Sequence, residues 1–190
     1  MKKNILLVLL IAAAMLTACK KGGGGDSPPV EPTKTPVGTN DGTAVKRTIG
    51  STGGTIVSDD GEMELVIPAG ALTTNTDITI QPITSTVPNG RGKGYRLTPD
   101  GQQFAKDITI KFHYTEEEAA ATEPDYMQVA YQNTDGTWQV VEKITNDIAT
   151  KTVSASVNHF TDFAEFVILR LVPPSLYLKS NEAKTLEVSY

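Results

Sequence analysis

The chain reads as an all-β protein, an antiparallel β-sandwich behind a signal peptide and a flexible linker, and three observations predict it. Short β-rich runs recur from Ala44 onward: Val45 to Ile49, Thr55 to Ser58, Glu62 to Ile67, Asp77 to Gln81, Gly94 to Thr98, Lys106 to Tyr114, Met127 to Gln132, Thr137 to Val141, Thr150 to Val157 and Phe163 to Leu169. Roughly ten such runs at this spacing are what a sandwich requires. Turn chemistry separates them, with Asp60-Gly61, Asn89-Gly90, Asp100-Gly101 and Asp135-Gly136 between alternating stretches. Within the runs, apolar residues alternate with polar ones. Ile108, Ile110, Phe112 and Tyr114 share one face, while threonines such as Thr79 and Thr109 fall on outward positions.

Ahead of the strands stands an address. Lys2 and Lys3 precede the apolar run Ile5 to Leu16, too short for a membrane span and suited to an export signal over residues 1–18. Leu16-Thr17-Ala18-Cys19 resembles the bacterial lipobox, which implies that the Cys19 sulfur takes a diacylglycerol and that Cys19 becomes the mature N-terminus. Several acyl chains, palmitate among them, would hold a soluble domain at a bilayer durably where one chain binds reversibly. Residues 19–43 then read as a lipidated cysteine and a disordered tether, rich in Gly, Pro, Ser, Thr and Lys. Lys20 follows the cysteine where an Asp would retain a lipoprotein at the inner membrane, and by that resemblance the outer membrane is expected.

Cys19 is the sole cysteine, which excludes a disulfide within the chain, so the exported domain must rest on its apolar core; roughly 150 residues suffice. Removing the signal takes Lys2 and Lys3 from the 17 basic residues and none of the 22 acidic ones, moving the net charge from −5 to −7. That balance argues against nucleic acid as a partner and against charge-driven adhesion to anionic lipid.

In the hairpin from Gly53 to Leu72, Asp59-Asp60-Gly61 joins two strands, and Met63, Leu65 and Ile67 point one way against Glu62, Glu64 and Val66. Gly-Gly, a short strand, the acid-Gly turn and Ile-Pro-Ala-Gly-Ala-Leu resemble the opening of the ZU-five domain, named for zona occludens proteins and netrin receptors. Tyr95-Arg-Leu-Thr-Pro-Asp-Gly-Gln-Gln-Phe104 and the run Asp107 to Tyr114 are similar to that family's second half. The resemblance implies a β-sandwich interaction module, here over residues 44–170, with no enzymatic chemistry of its own.

After Tyr114, Thr115-Glu116-Glu117-Glu118 is a capping box that starts a short helix halted before Pro124. Gly90-Arg-Gly-Lys-Gly94 resembles a phosphate cradle but has no helix behind it, and reads as a mobile hairpin tip. His113 falls on the polar face of its strand without a second His at metal-ligand spacing, and Asp59 and Asp60 lack calcium-loop spacing, so turn duty accounts for Asp60. No metal or cofactor is expected. With only two histidines and no nucleophile elbow, a hydrolase triad has no signature. A carbohydrate platform would need exposed rings; Trp138 lies in a strand where burial is expected, and Tyr95, Tyr126 and Tyr131 are possible rim residues.

Val157-Asn-His-Phe-Thr-Asp-Phe-Ala164 offers two readings. It resembles the self-cleavage site of adhesion-receptor and death-domain-linked relatives, which implies Thr161 Oγ1 attacking the Phe160 carbonyl with His159 as general base. Thr stands where the death-domain-linked group has Ser, and bond strain is not written in a sequence. The other reading is a tight bend, with Phe160 and Phe163 in the core and His159 a partly buried ring.

Beyond Pro173-Pro174, Ser175 to Tyr190 alternates like the first strands of a bacterial immunoglobulin-like repeat. Residues 171–190 are expected to begin a further domain in a chain truncated at Tyr190, or to pair with the sandwich edge. Together these readings predict a lipid-anchored envelope module that binds protein partners or neighbouring β-domains. The alternatives are a self-cleaving module and a carbohydrate-binding surface lipoprotein.

Overall fold

The computed structural model describes residues 32–120, 124–167, 170–172 and 187–189. In chain order the elements are β1 (Val45–Ile49), β2 (Gly54–Val57), β3 (Met63–Ile67), β4 (Thr76–Ile83), β5 (Gly90–Thr98), β6 (Gln103–His113), α1 (Glu116–Ala120), β7 (Met127–Gln132), β8 (Trp138–Val140), β9 (Ile144–Asp147), β10 (Thr152–His159), β11 (Asp162–Val167), β12 (Arg170–Val172) and β13 (Glu187–Ser189). Two antiparallel sheets pack as a sandwich. One has six strands in the order β1-β4-β5-β11-β7-β8, and the other has five in the order β2-β3-β6-β10-β9.

Period-two alternation decides which side chains meet between the sheets. Leu65 from β3, Ile108 and Ile110 from β6 and Val153 from β10 are fully buried, and they join Ile78, Ile80, Leu97, Val129 and Phe163 of the opposite sheet in one cluster. Tyr95 of β5 meets Phe112 of β6 edge-on across the sandwich, ring centroids 5.8 Å apart. The β2–β3 turn forms where Asp60-Gly61 predicts it, with Gly61 at φ 77°, a conformation that an L side chain resists. At α1 the capping box closes in both directions: Glu118 N–H donates to Thr115 Oγ1 at 3.1 Å, and Thr115 N–H donates to Glu118 Oε2 at 2.7 Å.

Several sequence expectations are corrected. The Gly90-to-Gly94 segment is not a hairpin tip, because β5 begins at Gly90 and the turn lies in residues 84–89. Strand β9 escapes the sequence reading since only Ile144 in it is apolar; pairing with β10 holds it. Tyr95 is no rim residue, being 1% exposed.

The stretch read as tether also differs from expectation. Lys34 bridges to Thr137 and Asn40 to Ile83, so residues 34–40 cross the six-stranded sheet from the β8 side to β4. Four strand spacings of about 4.8 Å match six extended residue steps of about 3.3 Å. Backbone hydrogen bonds replace the apolar burial that this stretch cannot supply: Thr35 N–H to Gly136 O, Asp41 N–H to Pro82 O, and Thr84 N–H to Thr39 O. The signal, Cys19 and residues 20–31 lie outside the described residues, as does most of the stretch after Val172. Within that stretch Glu187–Ser189 pairs antiparallel with Arg170–Val172.

Candidate functional site

Where the β8 and β9 ends of the two sheets face each other, the sandwich is open. A groove of about 290 Å³ lies there, with Tyr131, Val140, Lys143, His159, Asp107 and Asn158 among its walls. Tyr131 projects inward from β7, and His159, with the inward parity of Val153, Ala155 and Val157 on β10, brings its imidazole against it where the β6–β10 register shifts. The two rings meet edge-to-face at 4.9 Å and 85°. Val140 is 39% exposed at the rim. Polar groups complete the lining: Lys143 Nζ donates to Asp107 Oδ2 at 2.8 Å, and Ser156 Oγ donates to the same oxygen at 3.3 Å. The Lys143 ammonium, first by hydrogen bond and then by charge, holds the Asp107 carboxyl below its usual range.

Along residues 159–162 successive side chains go to different partners. Phe160 is buried edge-on against Phe104, its N–H donating to Gln102 O and its carbonyl accepting from Gly101 N–H. The Thr161 hydroxyl donates to Gln132 O at 2.9 Å. Asp162 accepts two bonds from Arg96, at 2.9 and 2.8 Å. No hydrogen bond joins the His159 ring to Thr161 among the described residues, and the non-glycine residues at positive φ are Asn89 and Lys151, both elsewhere. The segment is built as the bend, with Phe160 and Phe163 in the core.

The rings considered for a sugar platform are dispersed. Trp138 donates its indole N–H to Thr35 Oγ1 at 2.8 Å, Tyr126 packs with Tyr114 and Met127, and Tyr131 alone of the four lines the groove. His113 sits beside Thr152 Oγ1 at 3.2 Å and 3.9 Å from Glu64 Oε2. Among the described residues no cluster of His, Cys, Asp and Glu has the arrangement of a metal site, and no helix is long and apolar enough to cross a membrane.

Two acidic residues carry roles beyond the sequence reading. Asp60 is more than a turn residue: it accepts from Ser58 Oγ, from Glu62 N–H, from Lys93 Nζ at 3.1 Å and from the buried Tyr95 hydroxyl. Burial alone would raise its pKa, but those donors together hold it below the usual carboxylate range. The Tyr95 phenol is pushed upward, by burial first and then by the charges of Asp60 and Glu62.

Glu165 of β11 points inward, opposite a bulge between Ala164 and Phe166, and is 5% exposed with Oε2 bonded to nothing in the described structure. Burial, reinforced by the charges of Glu118 and Glu62, pushes its carboxyl up to about 8. The signal for it was present: in the run Phe163, Glu165, Val167 a charged residue occupies the core-facing parity. No family model matches the chain, and a search of curated proteins finds no relative.

Proposed function

We propose that this chain is a lipid-anchored module of the bacterial cell envelope, of ZU-five type, that binds a protein partner through the open side of its sandwich. The observation that carries the binding reading is the β8–β9 groove, where an exposed Val140 and the Tyr131–His159 ring pair stand among hydrogen-bonding side chains. Aromatic and apolar surface mixed with hydrogen-bonding side chains is what protein recognition uses. Its location at the envelope rests on the lipobox and on Cys19.

Two experiments test the two halves. Metabolic labelling with a palmitate analogue should mark the wild type and leave Cys19→Ala unlabelled and uncleaved; label on the variant overturns the anchor. A photo-crosslinking residue at Val140 should yield one discrete adduct in cells, lost on Tyr131→Ala. The same probe at Val57, which is 44% exposed on the opposite edge strand β2, should yield none. Equal adducts from both positions would remove the groove from the function.

A further inference from the structure

The outer face of the six-stranded sheet carries a polar row with one member per strand: Gln81 on β4, Arg96 on β5, Asp162 on β11, Gln132 on β7 and Trp138 on β8. Each has the parity opposite to the core-facing Ile80, Tyr95, Phe163 and Tyr131. Residues 35–42 lie across this row, and the row reads their backbone. Arg96 Nη2 donates to Gly38 O at 3.0 Å. Gln132 Nε2 donates to Thr35 O and Pro36 O at 3.1 and 3.3 Å, and Gln81 Nε2 donates to Gly42 O at 3.0 Å. Trp138 Nε1 takes the Thr35 hydroxyl as its acceptor. Gly38 is the tightest approach, since a Cβ there would stand 2.3 Å from Thr84 O and 2.9 Å from Ile83 Cδ1.

How the strap is held differs from how the core is held. Of its side chains Thr35 is half-buried, while Pro36, Val37, Thr39 and Asn40 are exposed, Val37 to 62%. Hydrogen bonds that each contribute little in net terms must offset the entropy of ordering the segment, so the attached and released states lie close in free energy. At one end the strap meets β1 through the short hinge of residues 42–44, with Gly42 at φ 140°. An element with a polar, self-contained docking row and a short hinge can be replaced by the same element of another copy without loss of any contact.

We infer that this row is a receptor for an extended Thr-Pro-containing segment, occupied in cis by residues 35–42 and able to take the same segment from a second copy, linking copies by strap exchange. This inference does not rest on where the chain is anchored or on the β8–β9 groove. The test uses an ion pair that reports the strap's seat: Lys34 Nζ lies 3.7 Å from Asp135 Oδ2 on the β7–β8 turn, with both side chains exposed. Equal amounts of isotopically light and heavy full-length chain are mixed at high concentration, warmed, cooled and treated with a carbodiimide, which joins ion-paired Lys and Asp directly. Lys143–Asp107, which links the segment before β9 to β6, is the internal control.

Exchange is expected to give Lys34–Asp135 peptides of mixed isotope, rising toward half of the total as concentration rises, while Lys143–Asp107 peptides stay unmixed. Gly38→Val, which unseats the strap, should lose the Lys34–Asp135 product and keep the control. Unmixed Lys34–Asp135 peptides at every concentration would overturn the inference. Equal mixing at both positions would overturn it as well, since that is random association.

Discussion

Replacing Glu165 by Gln isolates one buried carboxyl and turns it into a measurable slope. The group has an ordinary value of 4.5 and is raised to about 8 in the folded protein, chiefly by burial. Below about pH 4.5 it is protonated in both states and adds no pH dependence. As pH rises from there to about 8 the unfolded chain gives up the proton and the folded chain keeps it, so the unfolded state binds fewer protons and stability falls. Above that window both states are ionised and the loss is complete. At about 1.4 kcal/mol per unit, the full loss is on the order of 5 kcal/mol, of which about 3 has accrued by pH 7.

The amide introduced by Glu165→Gln does not titrate, so the difference in unfolding free energy between variant and wild type removes every other titrating group common to both. Urea denaturation of the two proteins at several values from about pH 5 to pH 9 should show the Gln variant gaining on the wild type through pH 8 and then holding level. A difference that stays flat across that range would mean that the folded carboxyl titrates normally, and the burial argument would be wrong.

Three further outcomes are expected. Leu65→Ala empties a fully buried position between the sheets and should cost about 2–5 kcal/mol, read as a lowered urea midpoint at unchanged slope. Asp60→Asn weakens the acceptor of Lys93 and Tyr95 and should cost about 1–3 kcal/mol at neutral pH; because the folded Asp60 value is depressed, its contribution is present above about pH 3.8 and fades as pH falls through the folded value, so the two proteins should converge in acid. Thr161→Val removes the hydroxyl bond to Gln132 O and should cost about 1 kcal/mol, with wild type and variant both running as one full-length band after long incubation. A break after Phe160 in the wild type that vanishes in Thr161→Val and His159→Ala would establish self-processing instead.

Although β9 and the start of β5 escaped it, residue spacing was enough to determine the other strands of the sandwich, the Asp60-Gly61 turn, the α1 capping box and the core-facing sides of β3 and β6. All of these are local: a two-residue period, a positive φ and a hydroxyl three residues from its partner are settled by near neighbours in the chain. The tertiary structure alone decided which strands sit side by side, because alternation reports a face and not a neighbour. β5 takes β11 on one flank, far along the chain, and the groups gathered around Glu165, Glu62 and Glu118 among them, come from distant segments. The same distance effect hid Asp60, whose partners Lys93 and Tyr95 come from another sheet. It also hid the strap: a Thr-Pro-Gly stretch too polar to make a core reads as tether until the row from Gln81 to Trp138 is assembled beneath it, strand by strand, and supplies donors for its carbonyls.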